Sequence, residues 1–481
     1  LRLNRSPTAD GDGLWDHCHF RRPLRVLVGC CPAGPQLIRV SRGRVKPLIW
    51  SDLMVYRTRL TCLLVGFLTL TACSEPVPDP LVSLTAALSP NAQEIHQRAL
   101  VIDAHADIEI AGKESRYAGA DGRSQVAPDK MRAGGVDAVV MAIAVGPGPR
   151  DAQGYADARA KAEEELAAVI KLTETPSNNL ILARSADELV GAHESGKGAL
   201  ILGFQNARIL GADVSVLDSF FDAGVRVFAL THMGHNDFAD SSRPIYLAGQ
   251  GTHEPVEEHG GLSELGKVAI KRINELGGIV DVSQLSRAAT LQVLGLSSAP
   301  VIASHSNVQH LSDVSRNLSD QEIDGIGKGG GVIHVAPFRG YLFDSNDKAL
   351  DHQIRVARRD AGIEEDYYYP FELYWEIDDA ETQKAFLGSV SELLGPGKID
   401  DMLAHLDYIV ARVGIDHVGI GTDFNHGSGL EGFADASEAL NVTIALLARG
   451  YSAEEIEKIW GGNFVRVFRE TKRLASDQRP R

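Results

Sequence analysis

The chain has 481 residues, 44% of them hydrophobic and 23% charged, with a formal net charge of −16. That is an ordinary composition for a globular enzyme with room for one large barrel domain and extra segments, and it lacks the basic footprint that nucleic-acid binding requires. All five cysteines (Cys18, Cys30, Cys31, Cys62, Cys73) precede residue 74, so the rest of the chain has no disulfide framework, thiolate metal site or cysteine nucleophile.

Residues 1–53 are rich in Arg and Pro without sustained periodicity, and read as translated upstream sequence or a disordered arm outside the folded domain. Met54 opens a different pattern. Arg57 and Arg59 form a positive region, and residues 60–70 form an apolar run of signal-peptide length, short for a membrane span. Leu70-Thr71-Ala72-Cys73 then resembles a bacterial lipobox. The expectation is a lipoprotein signal peptide over 54–73, with Cys73 lipidated, and a Pro-rich tether over 74–92 that is semi-extended. This places the protein at the bacterial cell envelope, anchored to the membrane by its N-terminal lipid and facing the periplasm, with Ser74 pointing to the outer membrane.

From about residue 100, short apolar runs alternate with amphipathic stretches, the signature of a parallel sheet with crossover helices. Strands are predicted at 100–104, 138–145, 199–204, 225–230, 278–282, 300–303, 331–336 and 418–421, each nearly continuously apolar as in strands buried on both faces. Helices are predicted at 155–172 and around Leu265, Val268, Ala269, Ile273 and Leu276. A further helix follows Met402, Leu406, Ile409, Val410 and Val413, and Gly277 and Gly414 stop the last two. Eight such units predict a closed (β/α)₈ TIM-type barrel over 93–475. Residues 339–397 form an insertion between strands seven and eight. It carries Tyr367, Tyr368, Tyr369, Phe371, Tyr374 and Trp375, and is a candidate lid or homodimer contact, or else a subdomain packing on itself.

Chemistry in such a barrel sits at the C-terminal ends of the strands. Polar residues fall there: Asp103-Ala104-His105-Ala106-Asp107 after strand one, Gln205-Asn206 after strand three, and Thr231-His232 after strand four. Ser283-Gln284, Ser304-His305-Ser306 and Thr422-Asp423-Phe424-Asn425-His426 follow strands five, six and eight. Side chains two apart on a strand share a face, so His105 and Asp107 can ligate one ion, and imidazole with carboxylate suits Zn²⁺. His305 and Asp423 at the same mouth strengthen the metal reading. His235 and His426, just beyond His232 and Asp423, read as solvent-facing loop residues, with recruitment to the mouth as the alternative, and His334 as filling a layer of the barrel interior.

Together with Leu230-Thr231-His232, Gly261-Leu262-Ser263, Asp281-Val282-Ser283, Arg316-Asn317-Leu318 and Gly461-Gly462-Asn463-Phe464, these motifs resemble the membrane dipeptidase (renal dipeptidase-like, M19) family along most of residues 98–470. The resemblance implies two zinc ions and hydrolysis of dipeptides, some with a C-terminal D-residue. It makes His105 and Asp107 ligands of the first site and His305 a ligand of the second. It implies that Asp423 engages the nucleophilic water, that His232 polarises the scissile carbonyl, and that Arg316 binds the substrate carboxylate. Two positions depart from the family: Gln205 stands where a bridging Glu belongs, and Gln284 where a second-site His belongs. A neutral amide is a poor bridge between dications, so the expectation is one tightly held zinc on His105, Asp107 and Asp423. Two other readings stay open on the residues alone: a one-metal hydrolase of another amide or a lactone, and a catalytically degenerate envelope binding protein.

Overall fold

The computed structural model describes residues 91–115, 117–247, 252–362 and 380–478. The signal peptide, Cys73, most of the tether and the aromatic run 367–375 lie outside them. Among the described residues there are eleven strands: β1 (Ile102–Asp107), β2 (Ala138–Ala144), β3 (Leu180–Leu182), β4 (Gly198–Gln205), β5 (Val225–Ala229), β6 (Tyr246–Leu247), β7 (Thr252–His253), β8 (Ile279–Asp281), β9 (Ile302–Ala303), β10 (Val332–Val335) and β11 (Val418–Ile420). Eight of them follow one another in the parallel order β1-β2-β4-β5-β8-β9-β10-β11. The ring closes where Ala106 bridges Phe424, through Asp423 N donating to His105 O at 2.8 Å and Asp107 N to Phe424 O at 2.9 Å. This is the predicted (β/α)₈ barrel, and β3 and the β6–β7 hairpin are short additions to it.

The period of two along a strand decides what each side chain meets. In β4, Leu200, Leu202 and Phe204 join the large apolar cluster beneath the surrounding helices. Ala199 and Ile201 join a second cluster with Ile102, Ile279, Val332 and, from the last helix, Phe464 and Phe468. Both faces are therefore apolar, and Gln205 shares the parity of Ala199 and Ile201. The helix Glu264–Leu276 starts where the Ser263 side chain accepts from Gly266 N, buries Ala269, Ile270 and Ile273, and ends at Gly277 with φ +85°.

The segment between β10 and β11 contains the 3₁₀ turn Arg339–Tyr341 and the helices Lys348–Asp360 and Ala380–Leu394. Those two helices share a small apolar cluster of Phe386 and Val390 with Ala357, Ala361, Leu387 and Leu394. Among the described residues, no helix is long and apolar enough to cross a membrane.

Candidate metal centre

Strand one runs further than its apolar pattern indicated. The ladder with β2 continues to Asp107↔Ala142, with an irregularity between Asp103 and Ala106, so His105 and Asp107 are part of the strand itself. Three strand exits carry non-glycine residues in the left-handed region: Asn206 (φ +81°), Gln284 (φ +68°), and Asp423 (φ +57°) with Asn425 (φ +64°). Such backbone is held only where its surroundings over-determine it. Here the exits of β4, β8 and β11 are bent towards one mouth.

Asp103 clamps the β1–β11 seam. Its carboxylate accepts from His105 N (3.1 Å), Thr422 N (2.7 Å) and Thr422 Oγ1 (2.6 Å). Burial nevertheless pushes its pKa up to about 6. Above the seam, His105 Nε2 lies 3.6 Å from Asp107 Oδ1, is buried, and has no hydrogen-bond partner. His105, Asp107 and Asp423 each offer a ligand atom, and these atoms lie within 4.8 Å of one another. Burial alone would lower the His105 pKa, but the carboxylates of Asp107, Asp423 and Asp281 outweigh it and raise it. Burial raises Asp423. Asp107, despite burial, is held well below the ordinary carboxylate range by His426 and His105. A mouth that favours a proton on His105 is one built to receive positive charge, and nitrogen with two carboxylates is a donor set that fits one divalent cation.

The tautomer of His105 follows from its other nitrogen. Ser304 Oγ donates its single proton to Asp281 Oδ2 at 2.5 Å, so it accepts from His105 Nδ1 (3.3 Å) and His305 Nδ1 (2.7 Å). In the neutral ring, the form that can accept a cation, His105 Nε2 is then left with its lone pair directed at the carboxylates. His105, Asp281 and His305 also have ligand atoms close together. The Ser304 hydroxyl sits among them, however, which makes that cluster a hydrogen-bond hub.

The other half of the mouth is built differently. The His305 ring stacks on His105 at 3.8 Å between centroids. Its Nε2 lies 3.4 Å from Gln284 Nε2, and Gln284 Oε1 accepts from Arg243 Nη2 at 3.0 Å. Gln205 ends β4, only 2% exposed. No ring nitrogen is left open for a second ion at His305, so these residues do not fit a second metal.

His232 and Arg316 reach the same mouth. His232 Nδ1 is buried without a partner, and burial keeps the imidazole neutral by holding its pKa well below the ordinary value. The Arg316 guanidinium is buried over the Tyr341 ring at 5.3 Å, with Nη1 donating to Ser306 Oγ at 2.9 Å and Nη2 to His305 O, while its Nε has no partner. Buried polar atoms are nearly always paired. Three orphan nitrogens around one opening mark where a polar ligand completes the structure.

Two histidines expected in solvent are not there. His426 is drawn in by the left-handed turns at Asp423 and Asn425. Its Nδ1 lies 2.7 Å from Asp107 Oδ2, Tyr117 stacks on it at 4.9 Å, and it stands edge-on to His232 at 5.5 Å. Asn425 holds that turn, donating from its side chain to Asp107 O at 2.8 Å. His235 is buried in the scaffold, with Nδ1 accepting from Ser241 N (3.0 Å) and Nε2 donating to Pro255 O (2.7 Å). Neither contact is foreseeable from the run of residues. His334 does line the barrel wall, with Nδ1 at 2.9 Å from Ala303 O. Arg243 escaped the sequence reading, and Ser304 and Asp281, although in strand-end motifs already singled out, were given no role there.

Fold and site define a (β/α)₈ barrel whose C-terminal mouth holds the donors for a divalent cation. The membrane dipeptidase family (Peptidase family M19) matches residues 90–480, and the chain belongs to that family. The probable dipeptidase PvdM from Pseudomonas aeruginosa is 34% identical, with a TM-score of 0.72 over 81% of this chain and 99% of that one. A metallo peptidase from Rhodobacter sphaeroides, solved with a phosphinate mimic of the dipeptide L-Ala-D-Ala, shares the fold at 22% identity, with a TM-score of 0.59 over 78% of this chain and 99% of that one. Dipeptidase tcpJ of Claviceps purpurea is 29% identical over 310 residues, which is 64% of this chain and 59% of the relative. Human Dipeptidase 3 is 27% identical over 304 residues, 63% of this chain and 50% of the relative. The chain thus spans between half and three-fifths of the length of these curated relatives.

Proposed function

We propose that this protein hydrolyses the amide bond of dipeptides, including those with a C-terminal D-residue, using one zinc ion held by His105, Asp107 and Asp423. The observation that carries this is the orphan lone pair of His105 Nε2 facing two carboxylates at a mouth shared with His232 and Arg316. A divalent cation bound there supplies Lewis-acid polarisation and makes a water more acidic. Asp423 takes the proton of the attacking water and passes it to the leaving amine. Neutral His232 donates to the oxygen that gains charge. Arg316, with its Nε unpaired, holds the free carboxylate of the substrate in a charge-assisted bond. The family and the dipeptide mimic bound by the Rhodobacter sphaeroides enzyme support this substrate class.

We further propose that the protein is lipidated at Cys73 and faces the periplasm; the lipobox and the Pro-rich run after it support this. The amides Gln205 and Gln284 favour one alternative, a one-metal hydrolase of another amide or a lactone. Turnover of a panel of L,L- and L,D-dipeptides, N-acyl amino acids and lactones, with added Zn²⁺ and with chelator, tests both. Zn²⁺-dependent cleavage confined to dipeptides is expected. Cleavage of the other compounds alone moves the assignment to the alternative, and no turnover by folded, zinc-loaded protein overturns both.

A further inference from the structure

We infer that Arg243, held by Gln284, takes the place of the second metal ion, so that the mouth is a one-ion centre with a built-in guanidinium. The inference rests on the metal-centre reading above but not on the identity of the substrate. It begins with hydrogen bonds whose direction is fixed from one end. Ser304 Oγ gives its proton to Asp281 Oδ2, so His305 Nδ1 must donate to Ser304 Oγ. His305 Nε2 then carries the lone pair and accepts from the Gln284 amide nitrogen at 3.4 Å. The Gln284 amide oxygen is left as the acceptor, and Arg243 Nη2 donates to it at 3.0 Å. The chain therefore runs from a guanidinium to a carboxylate, Arg243 to Gln284 to His305 to Ser304 to Asp281, with every donor facing an acceptor. Such chains reinforce themselves bond by bond. Its effect on metal binding is direct: the only lone pair that His305 can offer is already used.

The loop carrying Arg243 is fastened to the exits of two barrel strands. Ser241 Oγ donates to His232 O at 2.6 Å, Ser242 N to Gln284 O at 2.9 Å, and Arg243 N to Ser241 Oγ at 3.1 Å. Arg243 Nη1 reaches Tyr341 Oη at 3.3 Å, and the Arg316 guanidinium lies over that same ring. A dication at His305 and Gln284 would sit against a fixed guanidinium, and like charges at such range in a buried site repel strongly. Gln284 thus does two things that a histidine there would not: it offers an amide oxygen to Arg243 and an amide proton to His305.

Counting ions tests this without reference to turnover. The purified protein is equilibrated with Zn²⁺ or Co²⁺, desalted, and its metal measured by mass spectrometry, with Co²⁺ absorption as a second reading. The wild type is expected to hold one ion per chain. The Gln205→Glu/Gln284→His variant restores ligands but keeps the guanidinium, and is expected to stay at one. Adding Arg243→Ala to that pair should raise the count to two. If the triple variant fails to fold, Arg243→Met with Gln284→His carries the same comparison. Two ions in the wild type overturn the inference. So does a second ion taken up equally with and without Arg243, or a count that stays at one when Arg243 is removed from the ligand-restored protein. Failure of the dipeptidase reading is separate, appearing as one tightly held ion and no peptide cleavage.

Discussion

The two halves of the barrel mouth are made alike and finished differently. On the β1–β11 side, His105 uses one nitrogen on Ser304 and leaves the other open towards Asp107 and Asp423. On the β8–β9 side, His305 uses one nitrogen on the same Ser304 and closes the other against Gln284. One hydroxyl, with its proton given to Asp281, sets the tautomer of both rings. What separates an open donor from a structural histidine here is the partner of the far nitrogen: carboxylates in one case, an amide backed by Arg243 in the other. A ligand set is thus defined by what remains unsatisfied after the scaffold has taken its hydrogen bonds.

The largest effect is expected from making the first half resemble the second. Asp423→Asn removes the anionic oxygen proposed both to ligate and to exchange the proton, and should lower kcat by about 10²–10⁴-fold, the range for loss of a general acid–base group. The same carboxyl–amide exchange in reverse, Gln205→Glu alone, should leave activity within about threefold, because Gln284 and Arg243 still close the other half. Steady-state kinetics on both variants, with zinc content measured alongside, checks the contrast. Equal losses in the two would show that the halves are not functionally distinct.

The barrel and most of this mouth were legible in the sequence, for a physical reason. Strands buried on both faces read as continuous apolar runs, and a change from apolar to polar marks their C-terminal ends. His105, Asp107, His232, His305 and Asp423 all fall at such changes. The pattern misplaced strand one, predicted at 100–104 and observed at Ile102–Asp107, because the ladder continues beneath the polar residues at its end. β3 and the β6–β7 hairpin, with 3, 2 and 2 residues, are too short to show a period. The hidden parts were those made by closure. His426 meets Asp107 across 319 residues, and Arg243 meets Gln284 across 41. Both contacts depend on left-handed backbone at non-glycine residues, which the sequence does not announce.

The two misread histidines sharpen the comparison at an intermediate scale. His426 engages one oxygen of Asp107 and leaves the other near His105 Nε2, whereas His235 satisfies only the scaffold. His426→Ala should therefore weaken zinc affinity by about 10–100-fold, as losses of groups that orient a ligand do. His235→Ala should leave zinc affinity unchanged and lower the melting temperature instead. Competition against a chromophoric chelator, paired with thermal melts, separates the two. A His426 variant with wild-type affinity would mean that Asp107 is positioned by the strand alone.

The smallest effect concerns acid, and it tests how much of the acid sensitivity belongs to the scaffold. Burial pulls His334 and His405 down to about 4. His405 Nδ1 accepts from Val308 N at 2.9 Å, which requires the neutral ring. Between pH 6.5 and 4 the unfolded chain binds protons at these sites that the folded chain refuses, so the stability they confer is present above pH 6.5 and is lost as pH falls towards 4. By the usual conversion the loss is at most about 3 kcal/mol for each. Glu165, pushed up to about 7 by burial, acts oppositely: the folded state holds a proton that the unfolded state releases, so its contribution improves as pH falls from 7 to 4.5. Asp103, pushed up to about 6, acts as Glu165 does, while His232 and His305, held well below the ordinary value by burial, act as His334 does, so on these groups four histidines against two carboxyls give a net loss below pH 6.5. Denaturant midpoints measured in chelator, to keep metal release out of the reading, should fall between pH 7 and 5 in the wild type. They should fall less in His405→Asn. An identical fall in both would move the acid sensitivity to the mouth, where burial holds His232 and His305 neutral.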